Sequence, residues 1–154
     1  MRNGGVEGRL LNAHRSPCVI NILGRNAIFG LADDAIEDDA DKLDIWRVFI
    51  EYYETPEDQR PSAAGLGLPD TPNCSPEVIA CLREHRVAPL SKARCGNDYK
   101  LVQLSWIFDI SFIPSLVILT ERDYLGRLLS KLPASEGVRE IESLLRGYVT
   151  GRLS

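Results

Sequence analysis

The most regular pattern lies at the C-terminal end of the chain, where Val138, Ile141, Leu144, Leu145, Tyr148 and Val149 recur every three or four residues behind Ser135. That spacing is the apolar stripe of an amphipathic helix, and Ser135 is a residue type that caps one. Upstream, Pro114 suits an early position in a helix carrying Leu116, Leu119, Tyr124, Leu125, Leu128 and Leu132, with a break expected near Arg122-Asp123. Asn97-Asp98 opens a further helix in which Leu101, Val102, Leu104, Trp106, Ile107, Phe108 and Ile110 leave little polar surface, so it is expected to be central. Ser75-Pro76-Glu77 predicts another helix start, with a capping hydroxyl, a proline at the first helical position and a carboxylate in the first turn.

A long helix is expected from Asn26 to Glu54, stopped by Thr55-Pro56. At about 100° per residue it carries two apolar stripes, Ile36, Ala40, Leu43, Trp46 and Ile50 on one side and Ile45, Val48, Phe49 and Tyr52 nearly opposite. Packing on both faces follows. Residues 55–74 are rich in Pro and Gly and read as a long loop, either a substrate-side lid or a plain connection. Residues 1–26 show no sustained period and are left unassigned. No alternation of strand type and no internal repeat is present, so the fold class is all-α.

Composition narrows the function classes. A chain of 154 residues with 44% apolar and 26% charged residues fits one globular domain spanning 1–154. No apolar run approaches the roughly 18–20 residues of a bilayer span, and a secretory leader is not read at Met1, so a cytoplasmic protein without membrane partners is expected. A net charge of −4 argues against a protein that coats nucleic acid. Cys18, Cys74, Cys81 and Cys95 form no C-x-x-C pair and read as reduced structural thiols.

The segment Asp33 to Asp44 holds seven carboxylates in twelve residues, with Lys42 as its sole cation. Asp39 falls beside Leu43, Trp46 and Ile50, and Asp41 falls on the face of Ile45, Val48 and Tyr52, so each needs a partner: a divalent cation, an Arg or Lys, or water. A solvated or salt-bridged acidic face is the ordinary alternative to a metal centre. Gln103 and Asp109, inside an apolar helix, each demand a hydrogen bond. His85, near a helix end, reads as a favourable charge–dipole residue.

Ala40-Asp41-Lys42-Leu43-Asp44-Ile45-Trp46-Arg47-Val48 with Glu51-Tyr52-Tyr53-Glu54 resembles the C-terminal metal-ligand helix of the HD-domain family of metal-dependent phosphohydrolases. The resemblance continues through Gly67-Leu68-Pro69-Asp70, Ser75 to Val78, Asn97 to Phe112, Glu121 to Leu125 and Lys131-Leu132-Pro133, covering about residues 36–153 in order. It implies an HD-like helical bundle, incomplete at the N-terminus, and hydrolysis of a phosphate ester by a metal-activated water. It implies Asp41 as the late metal ligand, with His14 the candidate for a further one. The family's early histidine and its His-Asp pair have no counterpart in the sequence, so the chain corresponds to the C-terminal portion of such an enzyme. Lys42, Lys92, Arg94 and Lys100 are the candidate substrate-binding cations, each with surface solvation as its ordinary role. The expected cofactor is a divalent metal, Mg, Mn, Fe or Zn, and the expected partner a phosphorylated small molecule or nucleotide. Homo-oligomerisation is expected where central helices expose apolar faces. The alternative is a non-catalytic binding or regulatory module on the same scaffold, its acidic helix held by Arg or Lys.

Overall fold

The computed structural model describes residues 32–60 and 67–154. Among these residues the structure is all-α, with six α-helices and three short 3-10 turns: α1 Ala32–Glu54, α2 Pro76–Arg83, α3 Gly96–Ser105, α4 Ile113–Glu121, α5 Tyr124–Leu129 and α6 Glu136–Leu153. None of the described helices is long and apolar enough to cross a membrane.

The middle of the bundle is α3, whose residues from Asn97 to Ser105 are buried except Lys100. It runs antiparallel to α1 along a seam of side-chain contacts. Lys42 meets Asp109 beyond the end of α3, the Trp46 indole N–H donates to the Gln103 carbonyl at 2.9 Å, and Phe49 packs edge-on against Tyr99. Trp46 and Ile50 enter the core that Leu82, Leu101, Ile107, Leu116, Leu128, Ile141 and Leu145 build from the other elements. Helix α6 lies against α2 and α4, burying Val138, Ile141, Leu145 and Val149 as its stripe requires.

The helix ends follow from particular residues. Thr55 closes α1 by donating its N–H and hydroxyl to the Glu51 carbonyl, and Pro56 has no N–H to continue it. Helix α2 ends with the Arg86 N–H on the Cys81 carbonyl and the His85 N–H on the Leu82 carbonyl, which puts His85 in the left-handed region at φ 53°. Its imidazole then stacks on Phe108 at 5.1 Å, so a ring contact accompanies the αL conformation. Asp123, at φ 48°, ends α4 and starts α5 by accepting the Gly126 N–H. A Cβ at Gly126 would lie 2.5 Å from the Asp123 carboxylate, so a larger residue there would displace that capping side chain. Ser135 caps α6 as expected, accepting from the Val138 N–H at 3.2 Å.

Four expectations are corrected. The helix expected through Ile110 ends at Ser105, and Trp106–Asp109 tightens to 3-10 geometry before the chain turns into α4. Ser75 holds the N-cap position of α2, but its hydroxyl donates to Asp98 and caps nothing. The second stripe of α1 is only partly packed: Ile45 is buried, Phe49 and Tyr52 are half-buried and Val48 is 46% exposed. On the first stripe Ile36 is 54% exposed, because burial starts a turn later. The expected loop 55–74 contains a 3-10 turn at Glu57–Gln59, and residues 1–31 and 61–66 lie outside the described residues.

Candidate functional site

The acidic half of α1 crosses the segment that links α3 to α4. Asp39 is 1% exposed, and its two carboxylate oxygens accept the Ser111 and Phe112 N–H groups at 3.0 and 2.9 Å. Phe112 is the N-cap of α4, so Asp39 supplies from another helix the acceptor that a capping box draws from within its own. A carboxylate beside a helix N-terminus is also favoured by the helix dipole. The partner of this buried acid is thus backbone N–H, a solution that the sequence pattern of cations and carboxylates does not show.

Lys42, one turn on, is buried and reaches two carboxylates, Asp38 from its own helix and Asp109 at 2.9 Å. Burial works against its charge, but the hydrogen bonds to Asp38 and Asp109 outweigh that, so its pKa is raised. Asp109, expected inside an apolar helix, is instead exposed and meets Lys42 from the rim. Asp44 is bridged by Arg47, which also reaches Glu51. Asp41 is half-buried. It lies about 200° around α1 from Asp39, on the face of Ile45, Val48 and Tyr52.

Among the described residues no three His, Cys, Asp or Glu side chains converge as a metal site would require. No described carboxylate, Asp41 included, belongs to such a group, and His14 lies outside the described residues. A complete metal set is not furnished by the part of the chain described.

The candidate substrate cations are spread out. Lys42 and Lys100 stand at opposite ends of the α1–α3 seam: Lys42 at Asp109, Lys100 over the Tyr53 ring at 5.1 Å. That is about 16 Å along α1. Lys100 donates to Asn97 Oδ1 at 3.2 Å and the Lys131 carbonyl at 3.1 Å. Burial foremost lowers its pKa, with Asp70 opposing and Arg60 adding to the effect. Lys92 is half-buried with its ammonium 3.9 Å from Cys81 Sγ, and Arg94 is exposed.

A second buried carboxylate, read in the sequence only as part of a helix start, sits at the beginning of α3. Asp98 is 0% exposed and accepts the Ser75 N–H and hydroxyl, each at 2.6 Å, and the Arg94 N–H at 2.9 Å. Burial raises its pKa, but these donors together outweigh burial and hold it below the ordinary value. Nearby Cys74 is pushed up to about 11, by burial first and by the Asp98 charge second, so it stays a thiol at neutral pH. Cys74, Cys81 and Cys95 are all unpaired, in agreement with reduced structural cysteines.

The void lined by Trp46, Leu104, Ile107, Leu119, Tyr124 and Leu125 is about 10 Å³, too small for a substrate. What the fold and these contacts define is a helical domain with a charged crossing between α1 and the 109–112 segment. Comparison with family models, with curated proteins and with solved structures found no match.

Proposed function

We propose that this chain is the C-terminal portion of an HD-type metal-dependent phosphohydrolase, acting in the cytosol and contributing Asp41 as one ligand of a divalent metal. The observation that carries the reading is the fixed rotation of α1. Asp39 and Lys42 are both tied to residues 109–112, so half-buried Asp41 falls on the side of α1 away from Asp39, in line with buried Ile45 and, two turns on, exposed Val48. A ligand helix needs its carboxylate on a backbone held in place by its neighbours. The metal, Mg, Mn, Fe or Zn, would supply an activated water and polarise the phosphoryl oxygen of a phosphorylated small molecule or nucleotide. The chain's own share is to orient Asp41, and the remaining ligands must come from His14 or from residues beyond those described.

One observation favours a second reading, a non-catalytic binding or regulatory module. The buried groups on the acidic half of α1 are consumed structurally, Asp39 by backbone and Lys42 by Asp38 and Asp109. Metal content and Mn-dependent thermal stabilisation, measured for the purified chain beside Asp41→Ala, separate the two. Stoichiometric Mn in the parent, lost in the variant, is the expected result. If neither protein binds Mn, the phosphohydrolase reading fails and the module remains.

A further inference from the structure

Six large apolar side chains are exposed among the described residues, and four of them gather at one end of the bundle. Ile113 and Val117, 44% and 38% exposed, lie one turn apart on the outer face of α4, with exposed Pro114 between them. Ile36 precedes by one turn the Asp39 carboxylate that holds the Ser111 and Phe112 N–H groups. Leu153, also exposed, follows Arg152, whose guanidinium donates to the Ile110 carbonyl at 3.2 Å. The start of α1, the start of α4 and the end of α6 therefore meet around residues 110–113. Glu121 is the one charged residue of α4. A surface helix ordinarily turns polar groups outward, and apolar side chains gathered on an outer face mark a docking surface.

Two features of the chain say what covers it. The first is attachment. Residue 31 is bonded to Ala32, one turn before Ile36, so residues 1–31 join the body at this end. Cys18-Val19-Ile20-Asn21-Ile22-Leu23 is an uncharged, mostly apolar run. The eight residues that separate it from Ala32 reach up to about 26 Å, and α4 is only about 13 Å long. A tether makes the encounter intramolecular, which favours this run over a separate chain of equal affinity. The second feature is charge. Residues 1–31 hold four arginines and one glutamate, a net +3, which leaves −7 on the rest of the chain. Arg15 and Arg25 flank the apolar run, and Glu37 and Asp38, both exposed, follow Ile36. A second copy docked by two-fold symmetry on the same face would instead bring two acidic starts of α1 together.

We propose that residues 18–23 of this same chain dock on the apolar end formed by Ile36, Ile113, Val117 and Leu153, with Arg15 and Arg25 set against the acidic start of α1. The apolar run supplies the burial, and the flanking arginines fix which way it lies. This does not rest on the phosphohydrolase reading.

The test is amide hydrogen exchange followed by mass spectrometry on the full chain, with slow exchange in α3 reporting that each protein is folded. In the parent, residues 18–23 are expected to exchange about tenfold more slowly than an unstructured peptide of the same sequence. Val117→Lys, at an exposed position, should remove most of that protection, and so should Ile20→Ser combined with Ile22→Ser. Val48→Lys, exposed on α1 about 18 Å from Ile36, should leave it unchanged. The proposal is overturned if residues 18–23 are unprotected in the parent, if Val117→Lys leaves their protection intact, or if Val48→Lys lowers it equally. A dimer by light scattering, in which the outer face of α4 gains protection only as concentration rises, would give that face to a second copy and overturn it as well.

Discussion

Two buried carboxylates, Asp39 in the acidic run of α1 and Asp98 at the start of α3, stand in opposite sequence settings and do nearly the same thing. Asp39 holds the N–H of Phe112, the N-cap of α4, and Asp98 holds the N–H of Ser75, the N-cap of α2. Each belongs to one helix and fixes where another begins. They differ in reach. Asp39 binds two consecutive N–H groups of a single segment, whereas Asp98 binds Ser75 twice and Arg94 once, so it joins α3 to two separate stretches of chain. Density of acidic residues in a sequence therefore says little about which acid matters structurally. Burial beside unpaired backbone donors decides it.

The comparison ranks the consequences of removing each. Asp98→Ala should have the largest effect, about 3–5 kcal/mol in urea unfolding, because it leaves three part-buried donors without their acceptor at once. Asp39→Ala should follow at about 2–4 kcal/mol, with Asp39→Asn milder, since its amide oxygen can still accept one of the two N–H groups. A reversed order would mean that the 109–112 segment is more tightly determined by its backbone donors than the α2–α3 junction.

The helical class and most boundaries were legible because they rest on local signals: the α6 stripe, Pro114, Ser135 and the break at Arg122-Asp123 all act within a few residues. The break illustrates this well, as Asp123 both ends α4 and caps α5 through its own side chain. What sequence could not show is any pairing over long separation. Asp39 meets Ser111 and Phe112, and Asp98 meets Ser75, through contacts that exist only once the helices are packed. Ser75 illustrates the limit, since its pattern is that of a capping hydroxyl and tertiary competition from Asp98 redirects it. The candidate cations failed to gather for a similar reason. Lys42 and Lys100 each point to the same seam, but position along a helix axis is invisible to composition.

Acid dependence gives a further test of Asp98. The folded pKa of Asp98 lies below its ordinary 3.8, so the native state holds the ionised form more strongly than the unfolded chain does. Its contribution is complete above about that ordinary value and is lost as pH falls through the lower folded value. Asp98→Asn should therefore flatten the low-pH limb of the stability profile, followed by unfolding midpoints between pH 2 and 5. An unchanged limb would show that Asp98 is not the acid-sensitive group. Ser75→Ala should cost less, about 1 kcal/mol, since two N–H donors to Asp98 remain.

The smallest change is expected where the charges are most conspicuous. Lys42 is the cation of the acidic run, and its raised pKa means that the folded state favours its charge. That contribution is present in full below the ordinary value of 10.5 and disappears only as pH rises past the higher folded value, so at neutral pH it is constant. Asp38 and Asp109, however, have side chains 50% and 61% exposed, and water can solvate both once the ammonium is gone. The Lys42 side chain is buried along its length, and methionine nearly reproduces its aliphatic stem. Lys42→Met exchanges a desolvated cation for apolar burial, and the two terms largely cancel. A change within about 1 kcal/mol at pH 7 is expected, measured by urea unfolding beside Asp39→Ala. A loss as large as that of Asp39→Ala would mean that the Lys42 bridge, and not the capped N-terminus of α4, positions α1.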